Sequence, residues 1–368
     1  MEKEDVQKIN NILISQLNIK DNDPCFCGSC LLFVRCCKKE TKFWLSQKLI
    51  DKIIGYAKAN NFKIDNIPMS FLKEYEIEFQ KIFNKCSNPA CSNKCIGSHI
   101  FGRSLIKKYF EDTFCQWFEI NDNGIRQLIK IGISNDIKYP VFCSMCDNNI
   151  FKSIDNVDHD LLDTNNQLLH LIRIISFQYQ YTRTQLALSH QLVFSIVPIS
   201  SARRSFKNEQ TKNETINLNW FHENFIRYKH QKELLDHLWE ILNNRTKYII
   251  YSRVISSDNI IFSNGIINPQ YDLSNKKMTF TKQASILYLT LPISKNEIII
   301  ISYSYNNEYD DYIKRLYLSN DYKFKKTING FLSYLNTPYS ILLSSNFKMK
   351  TQVLGKINSK KGKIITFI

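Results

Sequence analysis

Eight of the eleven cysteines fall into two sets whose spacing suits a metal ion. In the stretch PCFCGSCLLFVRCC, Cys25 and Cys27 share a tight turn with Gly28, and Cys36 and Cys37 return after eight residues. Further on, a Cys-x4-Cys turn (Cys86, Cys91) is matched by a Cys-x2-Cys turn (Cys143, Cys146), so that each turn contributes two thiolates. Zinc accepts four sulfur ligands tetrahedrally and has no redox chemistry, and it can replace the core that so short a segment lacks. Two structural Zn²⁺ ions are therefore expected. Cys95 is a spare that could displace Cys91, and Cys115, beside Trp117, reads as a packed core residue. Free cysteines that merely pack are the competing explanation, but a pair at each end with this spacing seldom arises without a metal.

The C-x-C-x8-C-C pattern preceded by Pro24 resembles the SEC-C zinc motif over residues 24–37. The resemblance implies a small structural knuckle that docks onto protein or nucleic acid, with Cys25, Cys27, Cys36 and Cys37 as ligands. Here Leu31, Leu32 and Phe33 replace much of the motif's usual positive charge, which points to internal packing instead.

The second set, in CSNPACSNKCIGSHIFGRSLI and VFCSMCDNNIFKSID, resembles the HNH or ββα-metal endonucleases, in which zinc-stapled turns hold a strand bearing a histidine and a helix bearing metal ligands. What this resemblance implies is a treble-clef-like module with His99 as the general base, since neutral imidazole can take a proton from water. Asp147, with Asn148 or Asn149 assisting, would help to hold Mg²⁺ or Mn²⁺, and Arg103 and Lys107 would contact phosphates. Ser98 stands where these nucleases commonly carry a carboxylate. A looser resemblance links Phe142, Cys143, Cys146, Asp147, Phe151 and Asp155 to bacterial proteins of undefined role and implies a place in phage defence. A purely structural reading stands beside the catalytic one: His99 then only hydrogen-bonds within a zinc fold, and Asp147 only satisfies backbone N–H groups at a helix start.

These residues need elements to hold them. Apolar spacing predicts helices over 4–18, 42–60 and 69–84, the second with Trp44, Leu45 and Leu49 on its stripe. Short apolar runs at 115–120 and 126–134 around the sequence NDNG read as a hairpin. Long helices are expected over 160–196 and 217–244, and β-branched, aromatic runs after 246 mark a β-rich part. The fold class that follows is α+β and multi-domain: N-terminal helices with the knuckle (1–62), an HNH-like module (63–160), a helical region (161–245) and a β-rich domain with a basic tail (246–368).

The balance of 49 Lys and Arg against 34 Asp and Glu leaves a formal charge of +15, which favours nucleic acid as a partner through phosphate contacts. The knuckle offers a route to a protein partner. The first residues lack a signal-peptide core, no run approaches the roughly 18 apolar residues of a membrane span, and the thiols suit a reducing compartment, so a cytoplasmic protein without a membrane partner is expected. Absence of a P-loop, GxGxxG or GxSxG excludes nucleotide-driven work and serine hydrolysis of that type, and His222-Glu223 lacks the second His of a zincin. Taken together, the residues point either to an HNH-like endonuclease, which the looser resemblance places in antiviral defence, or to a non-enzymatic zinc adaptor that docks protein or nucleic-acid partners.

Overall fold

The computed structural model describes residues 3–42, 46, 48, 50–52, 55, 82–110, 114–120, 126–132, 138–156, 158–196, 218–244, 246–269, 273–274, 277–278, 285–305, 309–333 and 341–344. Most of the expected helices at 42–60 and 69–84, the NDNG turn and the basic tail beyond 344 lie outside these residues. The chain is α+β and divides into two compact units.

The first unit comprises residues 1–84, 122–124 and 178–233. It opens with α1 (Lys3–Leu17), whose Ile9, Leu13 and Leu17 form one buried stripe at helical spacing. Asn10, on the same helix, donates from Nδ2 to the Cys37 carbonyl at 3.1 Å, tying α1 to the knuckle. Inside the knuckle an isolated bridge joins Pro24 to Leu32, and a 3-10 turn spans Phe33–Arg35.

The second unit comprises residues 85–121, 125–177 and 234–368. Its zinc-motif half runs β1 (Gly97–His99), α2 (Arg103–Tyr109), β2 (Phe114–Ile120), β3 (Arg126–Gly132), β4 (Lys138–Pro140), α3 (Ser144–Ile150) and α4 (Lys152–Asp155). Next come the long helices α5 (Thr164–Ile196) and α6 (Leu218–Asn244); α5 lies in this unit as far as Phe177, and α6 from Leu234 onward. The remainder is β5 (Tyr251–Ser256), β6 (Ile261–Ile267), β7 (Ser285–Ser294), β8 (Glu297–Tyr305), α7 (Asp310–Tyr317), α8 (Asp321–Ser333) and β9 (Ile341–Ser344). Helices α7 and α8 are additions to a part expected to be β-rich.

Seven of these strands form one antiparallel sheet in the order β3-β2-β9-β6-β7-β8-β5. Side-chain alternation divides its two faces. Ile261 pairs with Leu343, and both face a core formed with Tyr312, Ile313, Leu316, Phe324, Ile328 and Leu332 of α7 and α8. Phe262 and its partner Leu342 point to the opposite face. There the Phe262 ring meets Phe101 at 5.3 Å and Phe110 at 5.4 Å, so the residues flanking α2 are anchored on the sheet.

Candidate metal centres and the His99 cavity

In the first unit the sulfurs of Cys25, Cys27, Cys36 and Cys37 all lie within 4.8 Å of one another. Cys27 is 3.5 Å from both Cys25 and Cys36, and Cys36 is 4.0 Å from Cys37. Four thiolates about 2.3 Å from a tetrahedral zinc would sit about 3.8 Å apart, so this set fits Zn²⁺. The Ser29 hydroxyl donates to the Cys36 sulfur at 3.2 Å, the kind of outer contact that holds a thiolate ligand in place.

The knuckle is docked within its own unit. The Phe26 ring packs against His190 at 5.1 Å and Phe221 at 6.2 Å. Gly28 has φ +78°, and a Cβ there would come 3.0 Å from the Arg183 carbonyl oxygen, which is why a side chain is excluded. Arg183 answers the close approach by donating to the Gly28 carbonyl. Cys30, which is not one of the four, meets the Tyr179 hydroxyl at 3.0 Å.

In the second unit Cys86, Cys91, Cys143 and Cys146 form the other set, again within 4.8 Å, with Cys91 and Cys143 3.6 Å apart. This set fits Zn²⁺ by the same measure. Cys95 instead points its thiol at the Val141 carbonyl at 3.6 Å, so Cys91 is the member of the set. The Cys-x2-Cys turn is built from backbone donors: the Cys146 N–H reaches the Cys143 sulfur and the Cys143 N–H reaches the Cys86 sulfur, each at 3.4 Å. Burial works against the Cys143 thiolate, but the Cys146 N–H and the neighbouring thiols bring its pKa down to about 7. All eleven cysteines are free of disulfides.

Around the second set, β1 and β4 pair antiparallel with Ser98 opposite Tyr139 and His99 opposite Lys138, and α3 follows the Cys-x2-Cys turn. Ser98 is buried; its hydroxyl accepts from the Phe142 N–H at 3.3 Å and hydrogen-bonds Asp147. Ser98 thus ties β1 to α3.

His99, Arg103, Ser104, Asp147, Asp155 and Arg173 line one cavity of about 220 Å³. His99 ends β1, Arg103 and Ser104 open α2, Asp147 stands in the first turn of α3, and Asp155 ends α4. Arg173 enters from α5 with its side chain only 3% exposed. It grips Asp155 at two points, Nη1 to Oδ1 at 2.6 Å and Nη2 to Oδ2 at 2.8 Å. The same guanidinium lies 3.7 Å from Asp147 Oδ1 and stacks 4.5 Å above the Phe151 ring. Ser104 donates its hydroxyl to the Asp155 carbonyl.

Burial, then the positive charges of Lys138, Arg103 and Arg173, push the His99 pKa down to about 4, with Asp155 opposing them. The imidazole is therefore neutral at pH 7. Burial also pushes the Asp147 carboxyl up, against the pull of Arg173 and the Ser98 hydrogen bond.

The expected residues fall into two groups in the fold. His99, Arg103 and Asp147 share the cavity, whereas Asn148 and Lys107 are exposed and do not line it. Asn148 donates instead to Ser144 Oγ at 3.3 Å. Arg173 escaped the sequence reading because one arginine on a long helix has no local signal; Asp155 was visible only as the last position of the looser resemblance.

The carboxylates Asp147 and Asp155 are the oxygen donors a hard divalent cation would use. Arg173 already saturates one and neighbours the other, and Arg103 adds a second guanidinium to the wall. This donor set does not fit Mg²⁺ or Mn²⁺. Among the described residues, no helix is long and apolar enough to cross a membrane. Compared with known proteins, the chain matches no family model, no curated sequence and no solved structure.

Proposed function

We propose that this chain is a zinc-stabilised, nucleic-acid-directed protein that cleaves phosphodiester bonds at the His99 cavity. The observation that carries the reading is the convergence of a neutral histidine and the exposed guanidinium of Arg103 on one small cavity, on a module stapled by four thiols. The order of that module, a cysteine pair, a strand ending in histidine, a hairpin, a Cys-x2-Cys turn and a helix, is the one in which it resembles HNH endonucleases. In this scheme Arg103 holds the phosphate and offsets the charge that grows on it, and Arg173, paired with Asp155, forms the wall behind it. His99 removes a proton from the attacking hydroxyl. The formal charge of +15 favours the encounter with a polyanion.

Cleavage of RNA and of plasmid DNA by the purified chain tests the reading. His99→Ala should lose about 100-fold or more in rate, as loss of a general base does, while retaining its zinc. Equal cleavage by the variant removes His99 from the mechanism. A role in antiviral defence is tested by plating phage on cells that express either form.

One observation favours a docking role for the knuckle: Leu31 and Leu32 are 50% and 38% exposed there. Such a surface suits a protein partner better than a phosphate. An adaptor of this kind would bind without turnover, and Leu31→Ser with Leu32→Ser would abolish the binding.

A further inference from the structure

Arg173 occupies the place where a metal-dependent nuclease needs open oxygen donors. Its guanidinium is buried, makes two hydrogen bonds to Asp155 and lies beside Asp147. The arrangement is braced: Phe151 lies under the guanidinium, and Ser104 holds the Asp155 carbonyl. A Cβ on Gly102 would come within 2.9 Å of Asp155 Oδ1. Both Asp155 oxygens are taken by this pair, so a cation would have to compete with the guanidinium for its donors.

A phosphodiester without a metal to activate water is hard to cleave, unless the substrate brings its own nucleophile within reach. RNA does so: the ribose 2′-hydroxyl adjoins the scissile phosphorus, and such intramolecular placement is worth many orders of magnitude in effective concentration. A cavity of about 220 Å³ is smaller than the usual small-molecule pocket of roughly 300 Å³ or more. Its wall carries the exposed guanidinium of Arg103, which can meet a backbone phosphate.

Resting on the reading given under Proposed function, we infer that the substrate is RNA, cut without a catalytic divalent cation by attack of its own 2′-hydroxyl. His99 takes the proton from the 2′-hydroxyl as the oxygen forms a bond to the adjacent phosphorus. The bond from phosphorus to the 5′-oxygen of the next nucleotide breaks, and that oxygen leaves as a hydroxyl after gaining a proton from water. The products are a 2′,3′-cyclic phosphate and a 5′-hydroxyl; the hydroxide left from that water takes the proton back from His99, so water is not consumed. Arg103 faces the non-bridging oxygens, while Arg173 stays paired with Asp155.

The test uses the full, zinc-loaded chain and three oligonucleotides of one sequence: RNA, 2′-O-methyl RNA and DNA. Each is incubated in buffer stripped of divalent cations and again with added Mg²⁺, and zinc is counted before and after. The inference expects RNA alone to be cut, with cyclic-phosphate ends, at rates that differ less than about threefold with and without Mg²⁺. It expects His99→Ala to lose about 100-fold or more. Cutting of DNA or of 2′-O-methyl RNA, 5′-phosphate ends, or a strict need for Mg²⁺ overturns the inference and leaves phosphodiester cleavage standing. No cutting of any of the three overturns both.

Discussion

Arg173 and Asp155 form a two-point ion pair, 2.6 and 2.8 Å, in which the arginine is buried and the aspartate is partly open to the cavity. Breaking one side of such a pair leaves a charge without its partner, and the loss is larger than the pair's net worth. Because Asp155 is 41% exposed, water softens that loss. Arg173→Met should therefore destabilise the second unit by about 1–3 kcal/mol, read as a fall in the denaturant midpoint. Arg173→Lys should recover little of it, because an ammonium cannot make two parallel hydrogen bonds.

Gly102 offers a subtler probe of the same pair. An alanine Cβ would stand 2.9 Å from Asp155 Oδ1, and Asp155 cannot yield without loosening from Arg173. Gly102→Ala should cost about 1–2 kcal/mol in chemical denaturation. A neutral or stabilising result would show that the carboxylate is free to move.

Two zinc ions per chain are expected by elemental analysis, one for each set of four thiols. Cys143→Ser should release one ion and Cys36→Ser the other. Strong chelation should lower the melting temperature, since binding energy of a structural zinc is folding energy. Retention of both ions by either variant would show that the thiol sets do not hold them.

Acid should weaken the fold before carboxylates titrate. Burial depresses the pKa values of His99, to about 4, and of His170 and His230. A histidine whose folded pKa is lowered contributes its full stability above the unfolded value of about 6.5, and loses it as pH falls through the window toward the folded value. His170 is further constrained: His159 gives its Nδ1 proton to the Asn156 carbonyl, so His170 must donate across the 2.9 Å gap between their Nε2 atoms. Melting temperature should drop between pH 6.5 and pH 5. The drop should be shallower in His99→Gln, which separates histidine protonation from acid release of zinc; an identical slope would contradict the assignment to His99.

Both thiol sets were legible in the sequence because metal geometry writes itself into short spacings such as Cys-x2-Cys. His99 and Asp147 were legible through their positions beside those turns. Asn148 and Lys107 were expected beside them but do not line the cavity: Asn148 follows Asp147 by about 100° around α3 and so faces away, and Lys107, on the same face of α2 as Arg103, sits one turn further along. The partnership of Asp155 with Arg173 depends on tertiary contact between α4 and α5, which no local pattern records. The hairpin β2–β3 was visible as alternation, but its place in a sheet with strands some two hundred residues later was not. Helices α7 and α8 were hidden within a stretch dominated by β-branched neighbours and basic charge.

Strand β9 gives that sheet a temporal order. It pairs Cys115 with Ser344 on one side and Phe262 with Leu342 on the other. While the chain is being synthesised, β2 and β6 each present a raw edge until residues 341–344 leave the ribosome, and such edges invite wrong pairing. A copy terminated before Ile341 would carry both thiol sets and every residue of the His99 cavity, yet keep two sticky flanks. Truncated copies should accordingly precipitate or be degraded, so that translation to residue 344 acts as a checkpoint for the whole second unit.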